Sequence, residues 1–576
     1  MKRIIFVLIL IIVTSSSYST IRYVSKNGKP MHPYTSWKTA SDSIQKCMNI
    51  CNPGDTVYLD KGVYIEKIIM KNKTSLIGID RDSSIIDTRT IVVQQSFYAI
   101  SMGDSCLIEN LHLIVSGSNQ KDGIAISTFN KNFAIVKKNL IENAWVGIEI
   151  SFVKKSVIHS NLVVNCDRAI FYDAPHPNEY YAHIFDNYCL FNDVGIINFY
   201  DGNTLINNNF IIYDKNTSEG IYIGLVNGSF KVRNNLVVSL NQGYLGINYG
   251  SNDTLFNNIV VGVGTSVWIR RPIPFYNNVI IDGIKGIRND SSNSIIKYNA
   301  FHNNELNLDN GMLDSTNIVA DPMFVNRTKD STFDGHLQKY SPLIDAGDPT
   351  ILDVDGSRSD IGLYGGPYGE SYTYIDYAPH VPHNITSTIV KKNITINWNM
   401  NTEADFSHYE VYLDTTENFT ADSTRLIALV DTNNYWGVRS FEKSTYYRIL
   451  AVDNQGNKSV LSEPVSVIVT GVDEPIVKGM DYMLYNAYPN PFNPSTTIAY
   501  RLKEDGYVKL SVYDIKGELV EILVNGVLPK GYYQASFSPK NTGKDLASGI
   551  YIYRIDIRNN NNIPVFSDMK KMILMK

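Results

Sequence analysis

Three carboxylates, Glu149, Asp173 and Asp201, recur 24 and 28 residues apart, and the stretch DAPHPNEYYAH sets His176, Glu179, Tyr180, Tyr181 and His183 beside the middle one. Clustered carboxylates can serve as general acid and base on a glycosidic bond, or hold a calcium ion that acidifies the α-proton of a uronate. The resulting β-elimination also needs a base, a role open to His176, Tyr181 or an arginine. A second group, Tyr222, Asn248, Trp268, Arg270, Arg271 and Arg288, joins aromatic faces that suit the apolar side of sugar rings to guanidinium forks that suit carboxylate or sulfate. Glu149, Asp173, His176 and Asp201 are thus candidate catalytic residues, and the second group candidate polysaccharide-binding residues. No residue is assigned as a metal ligand; the cofactor is undetermined, and calcium is the ion such carboxylates would hold.

These groups become neighbours only if the chain coils. From Asn110 to Asn299 an apolar residue is followed within a few positions by Asn, and the instances at Asn139, Asn161, Asn187, Asn209, Asn235, Asn258, Asn278 and Asn299 are spaced 22, 26, 22, 26, 23, 20 and 21 residues apart. A small residue followed by a β-branched one marches in step: Gly123-Ile124, Gly147-Ile148, Ala169-Ile170, Gly195-Ile196, Gly220-Ile221, Gly246-Ile247, Ser266-Val267 and Gly286-Ile287. Such periods suit a parallel β-helix, whose coils bury their apolar faces only against their neighbours. A leucine-rich repeat would need a Leu consensus that is missing. Asn fits the corners because it tolerates left-handed backbone angles and can bond to the next Asn in a stack.

If the residue after the small one points inward, the next faces solvent. The predicted outward column is Ala125, Glu149, Phe171, Ile197, Tyr222, Asn248, Trp268 and Arg288, and two positions on lie Ser127, Ser151, Asp173, Phe199, Gly224, Gly250, Arg270 and Asp290. Tyr172, Asn198 and Asn289 break the alternation and weaken the register there. The coils of Asp173 and Arg270 stand four apart, or roughly 19 Å at the sheet spacing. One reaction centre cannot use both groups, but one long chain can touch both.

The chain has 576 residues, 44% hydrophobic and 19% charged, which is ordinary for several folded domains. Met1-Lys2-Arg3, the apolar run Ile4 to Val13 and TSSSYST form the three regions of a secretory signal, read as residues 1–19, and ten apolar residues are too few to span a bilayer. The mature chain should carry no transmembrane segment. The net charge of −5 falls further without Lys2 and Arg3, so there is no basic field for nucleic acid. Cys47, Cys51, Cys106, Cys166 and Cys189 have no zinc-type pairing; Cys47 and Cys51, four apart on a predicted helix, could be bridged only with strain, so most are expected as buried thiols.

Before the coils come RYVSKNGK, a predicted amphipathic helix in SWKTASDSIQKCM with Trp37, Ile44 and Met48 on one side, and NPGDTVYLDKGVYIEKI; coils are expected from Ser75. Together with LIGI, and with ADPMFVN, HLQKYSPLIDAGDP and DVDGSRSDIGLYGG at the far end, this resembles the secreted right-handed parallel β-helix proteins of the pectate-lyase-like superfamily, over about Ile21 to Gly369. The catalytic patterns of pectate lyases and polygalacturonases do not map onto these residues, so no family catalytic residue is carried over. Asp353 to Gly356 and Asp360 lack EF-hand spacing and are read as turns closing the solenoid. After the Pro379–Pro382 linker, alternating strands with Trp398 and the run YYRILAVDNQGNKS resemble a fibronectin type III domain, residues 380–470, read as a spacer. LYNAYPNPFNPSTTIAYRL, GYVKLSVYDIKGELVEIL, LASGIYIYRI and the terminal KKMILMK closely resemble the C-terminal sorting domain of the type IX secretion pathway, residues 482–576. That resemblance implies passage of the inner membrane by the signal peptide and of the outer membrane by this domain.

The expected chain is therefore all-β, with a right-handed parallel β-helix and its cap at 20–372 followed by two Ig-like β-sandwiches. It is expected to be secreted or on the outer surface of a Gram-negative bacterium. Its partners are polysaccharide and the type IX machinery, not nucleic acid. The expected function is to bind acidic polysaccharide, with lyase-like or hydrolytic cleavage left open; the alternative is a non-catalytic adhesin or structural surface stalk.

Overall fold

The computed structural model describes residues 19–575 apart from 92–96, 116–122, 175–178, 200–201, 215–217, 225–228, 242, 391–392, 439–443, 468–481, 488–489, 540–545 and 560. The signal-peptide reading therefore falls outside the described residues, except for Ser19. No helix among those residues is long and apolar enough to cross a membrane. The chain divides into two compact units, Met1–Tyr377 with Thr402–Ala404, and Ala378–Asn401 with Asp405–Lys576.

In the first unit each period folds as one coil of three short strands, for example Cys106–Glu109, His112–Ile114 and Gly123–Ser127. Like strands of successive coils pair in parallel, building a first and a second face of 12 strands each and a third face of 11. The apolar residue of each short run points inward and stacks on its counterpart. On the first face Ile108, Val136, Ile158, Ile184, Ile206 and Val232 stand in register and are all buried. Burial of each such side chain contributes about 1.5–3 kcal/mol. The chain is thus all-β, a parallel β-solenoid followed by antiparallel sheets.

The repeated asparagines stand at the corner between first and second faces, fully buried. The backbone N–H and side-chain amide of each donate to Oδ1 of the asparagine one coil on, as from Asn139 to Asn161 at 3.1 and 3.0 Å, and this continues to Asn317. The expected stack is present, but the ladder asparagines are not the left-handed residues. Positive φ falls one residue earlier, at Lys138, Ser160, Asp186, Asn208, Asn234, Asn257, Asn277 and Tyr298. The residue before the ladder turns the chain, and the ladder asparagine saturates the buried backbone that the turn leaves open.

At Gly147, Gly195, Gly220, Gly246 and Gly286 a close approach leaves no room for a larger residue. A Cβ on Gly220 would lie 2.4 Å from Val237 Cγ1 and 2.6 Å from the Gly246 carbonyl oxygen. Gly220→Ala is expected to destabilise the solenoid by about 2 kcal/mol through overpacking, read as a lower midpoint with unchanged slope in chemical denaturation.

The solenoid begins earlier than expected. Ile21–Val24 already pairs in parallel with Thr56–Leu59, and Thr56–Leu59 with Ser75–Gly78, on the first face. The cap helix is shorter, a 3₁₀ turn Trp37–Thr39 and an α-helix Ile44–Asn49. Glu66 holds the α-helix start, accepting from Ser43 Oγ and from the N–H groups of Ile44 and Gln45, where a carboxylate complements the helix dipole. At the other end Phe324, Phe333, Leu337, Leu343 and Ile361 bury the outer side of the second face, with Leu236, Val238, Ile259, Val261, Val279 and Ile281 beneath them. The left-handed Asn234 and Asn257 donate to carbonyls of this closing segment. Asp353 accepts the N–H groups of Asp360 and Gly366; its carboxylate oxygens hold a turn, as the sequence suggested.

In the second unit, strands Thr386–Val390, Asn393–Asn397 and Asn434–Val438 form one sheet, and Leu426–Val430, Phe406–Asp414, Thr445–Asp453 and Val465–Val467 another. Trp398 is buried between them against Tyr409. Residues 483–574 repeat the plan, a three-stranded and a four-stranded antiparallel sheet around a core that includes Ile498, Leu510, Tyr553 and Met572.

Candidate functional site

The third face carries the candidate residues. Glu149, Phe171, Ile197, Tyr222, Asn248, Trp268 and Arg288 are register partners on seven successive coils, as the sequence predicts. The first coil differs. Ser127, not Ala125, pairs with Glu149, and Ala125 is buried; the Gly-Ile pair of that coil sits two residues earlier relative to its neighbours. Tyr172 and Asn198 point inward and are 1% exposed, so they occupy core positions and do not break the register. Ile197 and Asn248, expected outward, are 5% and 2% exposed, covered by the residues around them.

At the N-terminal end Glu149 and Asp173 lie on adjacent coils, since Ser151 pairs with Asp173. Ser127 Oγ donates to Glu149 Oε2 at 2.6 Å. Burial pushes the Glu149 carboxyl up, and the Asp173 charge adds to this against hydrogen bonds from Ser127 and Ser151. Burial likewise raises Asp173. Two carboxyls that each disfavour the charged form are suited to carrying a proton. His176 and Asp201 lie outside the described residues; Glu179 and Tyr181 are exposed, and His183 bonds Asn207 on the first face.

Toward the C-terminal end the aromatic and guanidinium groups interleave. The Arg270 guanidinium lies 5.5 Å from the rings of both Tyr222 and Trp268, and Arg288 lies 4.3 Å from Trp268. Their donors are partly engaged already. Arg270 Nη2 donates to the Ile223 carbonyl at 2.7 Å, reaching past Gly250, where a Cβ would stand 3.0 Å from it. Trp268 Nε1 and Arg288 Nε both donate to Asp290; burial opposes ionisation of Asp290, yet these two bonds hold it below the usual carboxylate range. Two groups are unsatisfied. Asn248 Oδ1 and Arg270 Nε are buried without a partner, an acceptor and a donor on the same face. Arg271 is half-buried one residue further on.

Sequence reasoning missed the column one residue before the small marker, where Arg168 pairs with Val194 and Val194 with Glu219. Arg168 lies 5.1, 5.5 and 5.8 Å from the rings of Trp145, Phe171 and Phe199, so a second aromatic–guanidinium group adjoins the carboxyl pair. Burial pushes Glu219 up to about 7, with Arg270 pulling the other way. The signal was present as charged residues at Arg168, Glu219 and Lys285 in a column otherwise largely apolar.

The family profile of the secretion system C-terminal sorting domain matches residues 486–567. The chain is accordingly a secreted or cell-surface protein of a Gram-negative bacterium that uses this secretion machinery. No curated protein matches the chain. Among solved structures, the Azotobacter vinelandii mannuronan C-5 epimerase AlgE4 A-module is similar at 13% identity over 46% of this chain and 91% of that one, with a TM-score of 0.30. A PL6 family alginate lyase, AlyGC, is similar at 12% identity over 58% of this chain and 59% of that one, with a TM-score of 0.29. The FN1–FN3 domains of chicken CNTN1 are similar at 10% identity over 35% and 71%, with a TM-score of 0.15.

Proposed function

We propose that the chain binds acidic polysaccharide along the third face of its solenoid, through Tyr222, Asn248, Trp268, Arg270, Arg271 and Arg288, with Glu149 and Asp173 as an acid–base pair. The observation that carries this reading is the unbroken register from Glu149 to Arg288, which lines both groups up on one face. Coils about 4.8 Å apart place the rings so that a sugar chain running along the solenoid meets one after another. In an elimination a base removes the α-proton of a uronate and a C=C bond forms. The C–O bond to the leaving sugar breaks as that oxygen takes a proton from Glu149, whose raised range keeps more of it protonated near neutrality. His176 and Asp201 are proposed as base and third carboxylate. Residues 380–470 are proposed as a fibronectin type III-like spacer, supported by their sheets of three and four strands.

A second reading, a non-catalytic adhesin, draws on one observation: Trp268 and Arg288 are already tied to Asp290. Incubating the purified protein with a panel of acidic polysaccharides, with ultraviolet absorbance for the unsaturated product and a reducing-sugar assay for hydrolysis, separates the two. Silence in both assays with binding retained supports the adhesin. Trp268→Ala is expected to weaken binding by about 1 kcal/mol or more, and Arg270→Ala comparably and less at high salt. Asp173→Ala should instead lower turnover with affinity kept, being roughly 19 Å away. Binding that survives Trp268→Ala unchanged on every polysaccharide rules out the groove.

A further inference from the structure

The cap of the solenoid contains a pair of buried thiols, Cys47 and Cys51. Cys47 lies in the helix Ile44–Asn49, and Cys51 follows the C-cap residue Ile50. The backbone N–H of Cys51 then donates to the Met48 carbonyl at 3.1 Å, and its Sγ donates to the Cys47 carbonyl oxygen at 3.3 Å. Positions four apart on a helical turn stand about 6 Å apart at Cα, inside the span that a disulfide bridges. The two thiols lie close enough for each to shift the other's ionisation. The second cysteine sits just past the helix end, outside the rigid ladder of the helix.

We propose that Cys47 and Cys51 form a disulfide once the chain has left the cytoplasm, clamping the turn that ends the cap helix. Export provides the setting, since an exported chain passes through an oxidising compartment. The co-reactant is a protein disulfide of that compartment. The Cys51 thiolate attacks one of its sulfurs, giving a mixed disulfide and releasing the first oxidant thiolate. The Cys47 thiolate then attacks Cys51 Sγ, releasing the second. Two electrons pass to the oxidant, and the two protons lost by the cysteines end on its sulfurs. Cys51 suits the first attack: the Cys47 thiol beside it lowers its thiol range, and Arg22 and Lys71 add to this, whereas Cys51 raises Cys47. Both cysteines are buried, at 0 and 2% exposure, so exchange takes place before the cap packs or while its six-residue helix frays. Cys106, Cys166 and Cys189 remain thiols. Cys166 and Cys189 are enclosed in the solenoid, where burial pushes the first up to about 12 and the second higher still.

The full chain recovered from its host's surface or medium is denatured with an alkylating agent and digested with trypsin. Cleavage after Lys46 and Lys61 places both cysteines, and no others, in one peptide. The expected result is that this peptide is unlabelled and lighter than the dithiol by two hydrogens, and doubly labelled only after reduction, while the other three cysteines are labelled throughout. Labelling of both Cys47 and Cys51 without reduction, or a link from either to another cysteine, overturns the proposal. In a second measurement, reductant is expected to lower the melting temperature of the exported protein by about 2 °C or more and to leave Cys47→Ser/Cys51→Ser unchanged. An equal response of the two proteins overturns the clamp.

Discussion

Asn235→Ala is expected to cost the solenoid about 3–5 kcal/mol and to lower its melting temperature by on the order of 5–10 °C. Asn235 is fully buried in the corner ladder. Its amide donates to the carbonyls of Ile206 and Arg233 and to Asn258 Oδ1, and its own Oδ1 accepts the N–H and side-chain amide of Asn209. Alanine leaves those carbonyls short of a donor and the Asn209 N–H without an acceptor, all in a place water does not reach. A buried group left in this way costs about 1–3 kcal/mol. Because coils contact only their neighbours, the damage falls on two adjoining interfaces. Asn132→Ala is the control: Asn132 is exposed and its amide reaches only Asp104 at 3.1 Å, so a change within about 0.5 kcal/mol is expected. Equal melting temperatures for the two variants would remove the ladder's structural role.

Deleting residues 482–576 is expected to abolish surface appearance and strand the protein in the periplasm of its native host, while the solenoid keeps its melting temperature. The segment matched to the sorting domain has its own sheets and its own core, so its loss removes no strand from the solenoid. Fractionation of the host with an antibody against the solenoid checks the first part, and circular dichroism on the recovered protein checks the second. Undiminished protein at the cell surface would refute the sorting role. Lys570 and Lys571, on the terminal strand Pro564–Leu574, pair with Tyr553 and Ile552. The lysine-rich end noted in the sequence is thus a structural strand of that sheet.

The solenoid was legible because a repeat states its own geometry. An apolar residue, an Asn and a small residue recurring in phase can satisfy burial and backbone bonding only if successive periods stack. The outward column from Glu149 to Arg288 followed from alternation alone, since strand side chains have a period of two. That rule failed at Ala125, where the markers of the first coil slip by two residues against the next. Slippage between coils is decided by how each corner turns, which a pattern within one strand does not contain. The turning residue itself was misplaced by one position, because Asn is both a good left-handed residue and a good buried donor. Sequence could not tell which task each one performs.

Sequence by itself determined the all-β class, the coil period, the face on which Glu149, Asp173 and Trp268 would stand, and the sorting role of the C-terminal residues. These depend on local spacing or on long runs of ordered motif. The tertiary structure alone decided that Arg270 spends a donor on the Ile223 carbonyl, that Trp268 and Arg288 share Asp290, and that Arg168 gathers three rings. It also decided that the closing segment covers the second face. Most of these contacts join residues one or more coils apart, and all are made by long side chains or by a returning segment. Their geometry depends on the stacked backbone as a whole, so no window of sequence holds them.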